Sequence, residues 1–350
     1  MRLGTASIAV AVLAASLVMA DDKLDETKAV EKIELLGGSV IRDAKLPDRP
    51  VIVVHLQRSK QFSDEDMGLL VAFPSLIRLT LNGQITDVGL KELRRHSKLT
   101  QLELSSSQIT DKGMIELREL KGLTDLGLNH TRITDAGLRE LRGFKNLTAL
   151  LLARANITNA GLITDAGLIE LKDLTSLKTL GLGGTQITGT GLVELRELKQ
   201  LTVLDLGDTQ ITDMSLKELR DFKHLSTLRV TRTGITDAGL VELKDLQNLA
   251  DLGLSGTQIS NAGVVELREL KQLTKLDLSN TQITDVSLKQ LRDFKHLSSL
   301  NVSRTEITDA GLTELQELKN LKSLDLKKTQ TTDAGIKNLQ EVLPNLTIRR

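Results

Sequence analysis

The chain has 350 residues with 46 basic and 46 acidic side chains, so no global field draws it to nucleic acid or to an anionic membrane surface. It contains no Cys, which excludes disulfides, thiolate catalysis, cysteine metal sites and the lipid-attachment cysteine of a lipoprotein. It also has no Trp, no Tyr and only five Phe, so Arg, aliphatic and polar contacts must hold any partner in place of the aromatics that dominate tight interfaces.

Residues 1–20 combine a positive charge at Arg2, an apolar stretch around Ile8 to Ala15 and small residues before Asp21. That order predicts a secretory signal peptide cleaved after Ala20. The alternative is an uncleaved anchor, because Leu3 to Ala20 approaches the roughly 18-residue minimum for a span. Either arrangement predicts an extracytoplasmic location (periplasmic, secreted or cell-surface), with no membrane insertion once the signal is removed. Residues 21–50 are expected to form an N-terminal helical cap. Ala29, Val30, Ile33 and Leu36 recur at helical spacing over Leu24 to Leu36, and Gly37-Gly38 suits a helix C-terminus. The Pro47 to Pro50 turn then leads into a first strand over Val51 to Leu56.

From residue 51 to 350 the chain repeats itself. The 24-residue unit running from Leu123 to Asn146 starts again at Leu147, and it carries Leu-x-x-Leu-x-Leu. A fixed period of this length with that pattern resembles a leucine-rich-repeat solenoid, in which each coil supplies one short strand and one helical return. The predicted fold is an α/β solenoid: a leucine-rich-repeat horseshoe with a parallel concave sheet, a helical convex side and about 12 coils. These begin at Val51, Leu76, Leu99, Leu123, Leu147, Leu177, Leu201, Leu225, Leu249, Leu273, Leu297 and Leu321, and Leu346 to Ile348 form a last partial strand. The fifth coil doubles a hexapeptide, Ile157 to Leu162 followed by Ile163 to Leu168, which predicts a bulge on the outer side with the strand Leu150 to Leu152 still in register. Asp221 to Leu225 recurs as Asp293 to Leu297 within a duplicated 72-residue block, so recurrence within that block is no sign of separate selection.

Within a coil, Leu126 and Leu128 point inward while Asp125, Gly127 and Asn129 face the concave side. The turn Thr (Thr131, Thr185, Thr209, Thr233, Thr257, Thr281, Thr305, Thr329) is expected to satisfy backbone groups of neighbouring coils. The Asp of Ile-Thr-Asp (Asp87, Asp111, Asp135, Asp213, Asp237, Asp285, Asp309, Asp333) is expected to accept free N–H groups at the start of the helical return. Gly137 and its equivalents would crowd the next coil if they carried a side chain. Ser215 and Ser287 replace two of them, so the requirement is small size and not positive φ.

Leu-x-x-Leu-x-Leu-x-x-Thr-x-Ile-Thr-Asp-x-Gly-Leu-x-x-Leu resembles the cysteine-containing leucine-rich-repeat subfamily of F-box proteins, with Thr where that subfamily often has Cys. It is closer still to secreted bacterial leucine-rich-repeat proteins. The resemblance covers about residues 51 to 350 and implies a fold more than a partner. No F-box-like segment precedes the repeats.

Catalytic signals are missing. His55, His96, His130, His224 and His296 are scattered, with His224 and His296 three coils or roughly 14 Å apart at about 4.8 Å per strand. No HExxH, nucleophile elbow or phosphate-loop pattern occurs. Asp277 and Asp325 are expected near 10 Å apart on an open surface, which suits neither general acid–base work nor water exclusion. The chain is therefore predicted to be non-enzymatic, with no cofactor and no metal. The one candidate site is a mixed-sign cluster on the concave sheet: Asp205, Arg229, Arg232, Asp251, Lys275, Asp277 and Arg304, with Asp205 and Arg229 forming a cross-strand ion pair. It lies beyond a bland middle of Ala149, Leu151, Gly181 and Gly183. The expected function is a scaffold binding an unidentified protein or surface polymer through the concave face. The alternatives are a structural or adhesive envelope component without a specific ligand, and an F-box-like substrate-receptor adaptor of a ubiquitin ligase, which requires an unprocessed N-terminus.

Overall fold

The computed structural model describes residues 25–81, 83–155 and 163–350. The expected signal segment and the first copy of the doubled hexapeptide lie outside the described residues.

A three-residue strand cannot satisfy its own backbone or bury its own leucine, so each coil borrows both from its neighbours. Thr124 N–H donates to Thr100 O at 2.8 Å on one side, and Leu128 N–H to Leu151 O at 2.8 Å on the other. Repeated along the chain, this bonding gives one 14-stranded sheet in sequence order. Its strands are β1 (Ser39–Arg42), β2 (Val51–His55), β3 (Arg78–Thr80), β4 (Gln101–Glu103), β5 (Asp125–Gly127), β6 (Ala149–Leu151) and β7 (Thr179–Gly181). They continue as β8 (Val203–Asp205), β9 (Thr227–Arg229), β10 (Asp251–Gly253), β11 (Lys275–Asp277), β12 (Ser299–Asn301), β13 (Ser323–Asp325) and β14 (Thr347–Arg349). Strands β2 to β13 are the twelve expected coils and β14 the partial one. β6 keeps its register on both sides of the doubled hexapeptide, with Leu150 opposite Leu126 and Leu180.

The central leucine of each strand is buried in one continuous core that the returning helices close from the convex side. Those returns are single α-turns that tighten into 3₁₀, as in Asp135–Leu138 followed by Arg139–Gly143. A 24-residue coil leaves no length for a full helix, and short returns suit i→i+3 bonding. All five Phe are in the core: Phe62, Phe73, Phe144, Phe222 and Phe294 are at most 2% exposed. On the convex surface an Arg of one coil meets a Glu of the next, as in Arg94–Glu116, Arg118–Glu140, Arg220–Glu242 and Arg292–Glu314.

At the N-terminal end, helix α1 (Glu26–Leu35) is capped by the Asp25 side chain, ends at Gly37 with φ 82° and buries Ala29 and Ile33. β1, which hydrophobic patterning did not reveal, runs antiparallel to β2 and occupies the edge that a parallel stack leaves open.

Two expectations about repeat positions are corrected. The turn threonine bonds within its own coil: Thr131 Oγ1 donates to Leu128 O at 2.6 Å, and Thr233 Oγ1 to Val230 O at 2.6 Å. The hydroxyl sits one turn after that carbonyl and reaches it before anything on the next coil. The column of aspartates, in turn, does not cap its own helix. The preceding threonine does so, as Thr134 Oγ1 accepts from Ala136 N–H at 3.1 Å. This frees the aspartate to bridge coils. Asp111 Oδ1 accepts from Thr134 N–H at 2.8 Å and Oδ2 from the Thr134 hydroxyl at 2.8 Å, and Asp213 does the same to Thr236. At Asp165 burial would raise the carboxyl, but the Thr188 and Thr190 hydroxyls with the Thr188 and Gly191 amides hold it below the usual aspartate range.

This bridge explains the glycines. A Cβ on Gly137, Gly239 or Gly311 would land on Oδ1 of Asp111, Asp213 or Asp285 of the preceding coil. Where the preceding coil lacks the carboxylate, the glycine is replaced. Gly189 precedes Ser215, whose hydroxyl fills the vacated space and accepts from Thr212 N–H at 2.9 Å. Asn261 precedes Ser287, whose hydroxyl donates to Asn261 Oδ1 at 2.5 Å. We therefore expect Gly239→Ser and Asp213→Gly each to destabilise the protein by about 1–3 kcal/mol, through overpacking and lost hydrogen bonds respectively. The double variant, which reproduces the Gly189–Ser215 pair, should recover on the order of 1 kcal/mol or more, measured as non-additivity in urea denaturation.

His96 occupies the core column that holds Phe73, Leu120 and Phe144 in neighbouring coils. It is 3% exposed, and its Nε2 has no hydrogen-bond partner. Burial lowers its pKa, opposed by its bond to the Phe73 backbone and by Glu92 and assisted by Arg95. The unfolded chain therefore takes up the proton first. Stability is full above about pH 6.5 and declines as the pH falls from there towards the lowered folded pKa. The urea midpoint of the N-terminal coils should be lower at pH 5 than at pH 8, and His96→Leu should remove that part of the difference.

Candidate binding surface

The parallel register lays out the concave face as two columns flanking the buried leucines. One runs through Glu103, Gly127, Leu151, Gly181, Asp205, Arg229, Gly253, Asp277, Asn301, Asp325 and Arg349. In it, several acidic and amide side chains also stabilise the bend at the strand end. Asp205 Oδ1 accepts from Gly207 N–H at 2.9 Å, Asp277 Oδ1 from Ser279 N–H at 2.9 Å and Asp325 Oδ1 from Lys327 N–H at 3.1 Å. One oxygen of each is thereby committed to the fold.

Two depressions interrupt this face. The C-terminal one encloses about 380 Å³ and is lined by Arg229, Lys275 and Arg349 against Asp251, Asp277 and Asp325, with Thr231, Ser299, Asn301 and Ser323 between them. The N-terminal one, about 290 Å³, has a floor of Gly127, Ala149 and Leu151 and a rim of Arg78, Gln101, Glu103 and Asp125. That rim is already a chain of contacts, since Arg78 donates to Gln101 and Gln101 Nε2 donates to Asp125 Oδ2 at 3.3 Å.

The C-terminal groove brings together four of the seven sequence-selected residues: Arg229, Asp251, Lys275 and Asp277. Asp205 stands opposite Arg229 in register, but the expected ion pair between them is not what forms. Arg229 Nη2 lies 3.5 Å from Asp251 Oδ2 instead. Gly207 N–H already engages Asp205, and side-chain-free Gly253 leaves space beside the Arg229 stem, so the guanidinium swings towards the later coil.

Arg232 and Arg304 lie outside the groove, on a ridge where each strand turns. The residue before the turn threonine, or before Ser107 and Ala155 where these replace it, is left-handed in coil after coil: Ser106 (φ 64°), His130 (55°), Arg154 (52°), Gly184 (73°), Asp208 (57°), Arg232 (51°), Gly256 (69°), Asn280 (53°), Arg304 (58°) and Lys328 (58°). Its N–H extends the ladder past the strand, as Arg232 donates to Ser255 O at 2.7 Å. Recurring Gly, Asp and Asn before the threonine are the sequence signal for this conformation, one that hydrophobic patterning does not carry. Asp208 is bracketed by Arg232, whose Nε donates to Oδ1 at 2.5 Å, and by Arg154 at 3.5 Å. Arg154 reaches across Gly184, which has no Cβ to obstruct it. Chiefly the Arg232 hydrogen bond holds the Asp208 carboxyl below its ordinary pKa.

Among the described residues, no group of three or more His, Asp and Glu could hold a metal ion. Nor, among them, is any helix long and apolar enough to cross a membrane. Asp277 and Asp325 are two strands apart in an open groove, with no enclosed space for a reacting group.

Family models described as leucine-rich repeat match residues 271–330, and 95–117 and 223–244. No curated protein is significantly similar in sequence to the chain. Among solved structures, an internalin from Listeria monocytogenes is 23% identical with a TM-score of 0.55, covering 94% of this chain and 94% of the internalin. A leucine-rich-repeat protein of Leptospira interrogans is 23% identical with a TM-score of 0.56, covering 82% of this chain and 74% of the other. These similarities are of fold: the chain is a leucine-rich-repeat horseshoe.

The Asp208 pairs are solvent-facing. Asp208→Ala should therefore lower stability by no more than about 1 kcal/mol, with the thermal midpoint as the measurement.

Proposed function

We propose that the protein is a non-enzymatic, extracytoplasmic recognition scaffold that binds a protein, or a surface polymer, through its concave sheet. The observation that carries this reading is the C-terminal groove. Lys275 and Arg349 line it and form no ion pair among the described residues, beside Asp277 and Asp325, each of which commits one oxygen to the strand-end bend, on a floor of hydrogen-bonded strands. A rigid base with unsatisfied charges of both signs suits recognition by electrostatic complementarity, which sets register and rejects wrongly charged partners. Charged, amide and hydroxyl groups must do this work without Phe, because all five Phe are in the core. The signal-like order of residues 1–20 supports the extracytoplasmic assignment.

The test is crosslinking capture from an envelope fraction using the mature protein. Arg229→Glu combined with Lys275→Glu should reduce capture of the specific partner at least tenfold while the circular dichroism spectrum stays unchanged. Undiminished capture by the double variant would remove the groove from the interaction.

A further inference from the structure

The left-handed ridge holds a feature that folding does not require. Successive coils from Ser106 to Lys328 take positive φ at this position, and Gly, Asn or Asp adopt it at little cost, as Gly184, Gly256, Asn280 and Asp208 do. An Arg or Lys there accepts strain without a local hydrogen bond in return. Arg154 and Arg232 are offset by the carboxylate of Asp208 between them. Arg304 and Lys328 are not. They occupy the same position in adjacent coils, tied by Arg304 N–H donating to Lys327 O at 2.8 Å, and both side chains are exposed with no ion pair among the described residues. Two like charges side by side oppose one another as well.

We propose that Arg304 and Lys328 form a twin-cation site for a carboxylate side chain of an acidic polypeptide segment, adjoining the concave groove. The proposal rests on the recognition reading above and assigns part of the partner. The site's other polar residues select among anions. Arg304 and Lys328 share an open depression of about 600 Å³ with Thr281, Gln282, Thr305 and Glu306. The Gln282 amide can serve a peptide carbonyl or N–H, and the Glu306 carboxylate can accept a peptide N–H. A sulfated polysaccharide carries no run of peptide N–H and C=O groups to engage Gln282 and Glu306, and it would find no aromatic face for its sugar rings, since all five Phe are buried.

The test uses Arg304→Asn with Lys328→Asn, because Asn280 already occupies this position in another coil and keeps the left-handed turn. The probe is a fluorescein-labelled peptide of alternating Glu and Gly, with a Lys–Gly peptide and dextran sulfate as comparators, at physiological ionic strength. The wild-type chain should bind the acidic peptide and not the basic one. The double variant should bind at least tenfold more weakly with an unchanged or higher thermal midpoint. Equal binding by the variant, no binding of the acidic peptide by the wild type, or preference for dextran sulfate at equal charge concentration would each overturn the proposal. Arg229→Glu with Lys275→Glu is measured in parallel. If it abolishes envelope capture while the ridge variant leaves peptide binding intact, the ridge assignment falls and the groove stands.

Discussion

Everything in this molecule depends on the dependence of one coil on the next. No coil closes its own hydrogen bonds or covers its own leucine, so neither the sheet nor the core exists below a minimum stack. The main-chain ladder supplies adhesion but is indifferent to which coil sits where, because all strands offer the same N–H and C=O groups. The aspartate that leaves its own helix to hold the threonine of the following coil adds discrimination. Each such aspartate lies against a glycine, and where Gly189 stands in its place a serine hydroxyl of the next coil occupies the space. Polar contacts with strict volume requirements thus set the phase of an otherwise uniform hydrophobic stack.

The same regularity shapes the binding face. Because register is invariant, a side chain's position on the concave surface is fixed by its place in the repeat, and chemical variety enters only through residues the core does not constrain. These are the two columns beside the buried leucine and the left-handed position at the turn. The groove and the ridge are built from those residues. Strand-end carboxylates serve both purposes at once, one oxygen bending the chain and the other facing solvent.

Much of this was legible in the sequence. Coil boundaries, the alternation of Leu126 with Asp125 and Gly127, the size limit at Gly137 and the retained register of β6 all follow from periodicity, because burial obeys the repeat. What periodicity could not give was direction within a layer. Asp87 to Asp333 look like helix caps when one coil is considered, and only the neighbour's threonine shows where the carboxylates point. Arg229 was expected to meet its register partner Asp205, but diagonal neighbours compete with direct ones, and empty Gly253 decides in favour of Asp251. Arg232 and Arg304 are exposed charges outside the core. Their placement on a ridge follows from a backbone torsion that binary patterning does not encode.

The alternation of carboxylate–glycine and amide- or glycine–serine contacts has a consequence for how such a chain can grow. The 72-residue block places Ser287 where Ser215 stands in the earlier copy, and Asn261 where the later copy has Asp333. Ser215 follows a coil with no side chain at the contact, Gly189, whereas Ser287 follows the end of the first block. At that seam Asn261 accepts the serine hydroxyl at Oδ1 and donates through Nδ2 to Thr284 Oγ1 at 2.9 Å, a donation that a carboxylate could not make. Segments of such an array are therefore not freely interchangeable: splicing, shortening or lengthening it succeeds only where the side chains meeting at each new junction are compatible in volume and charge.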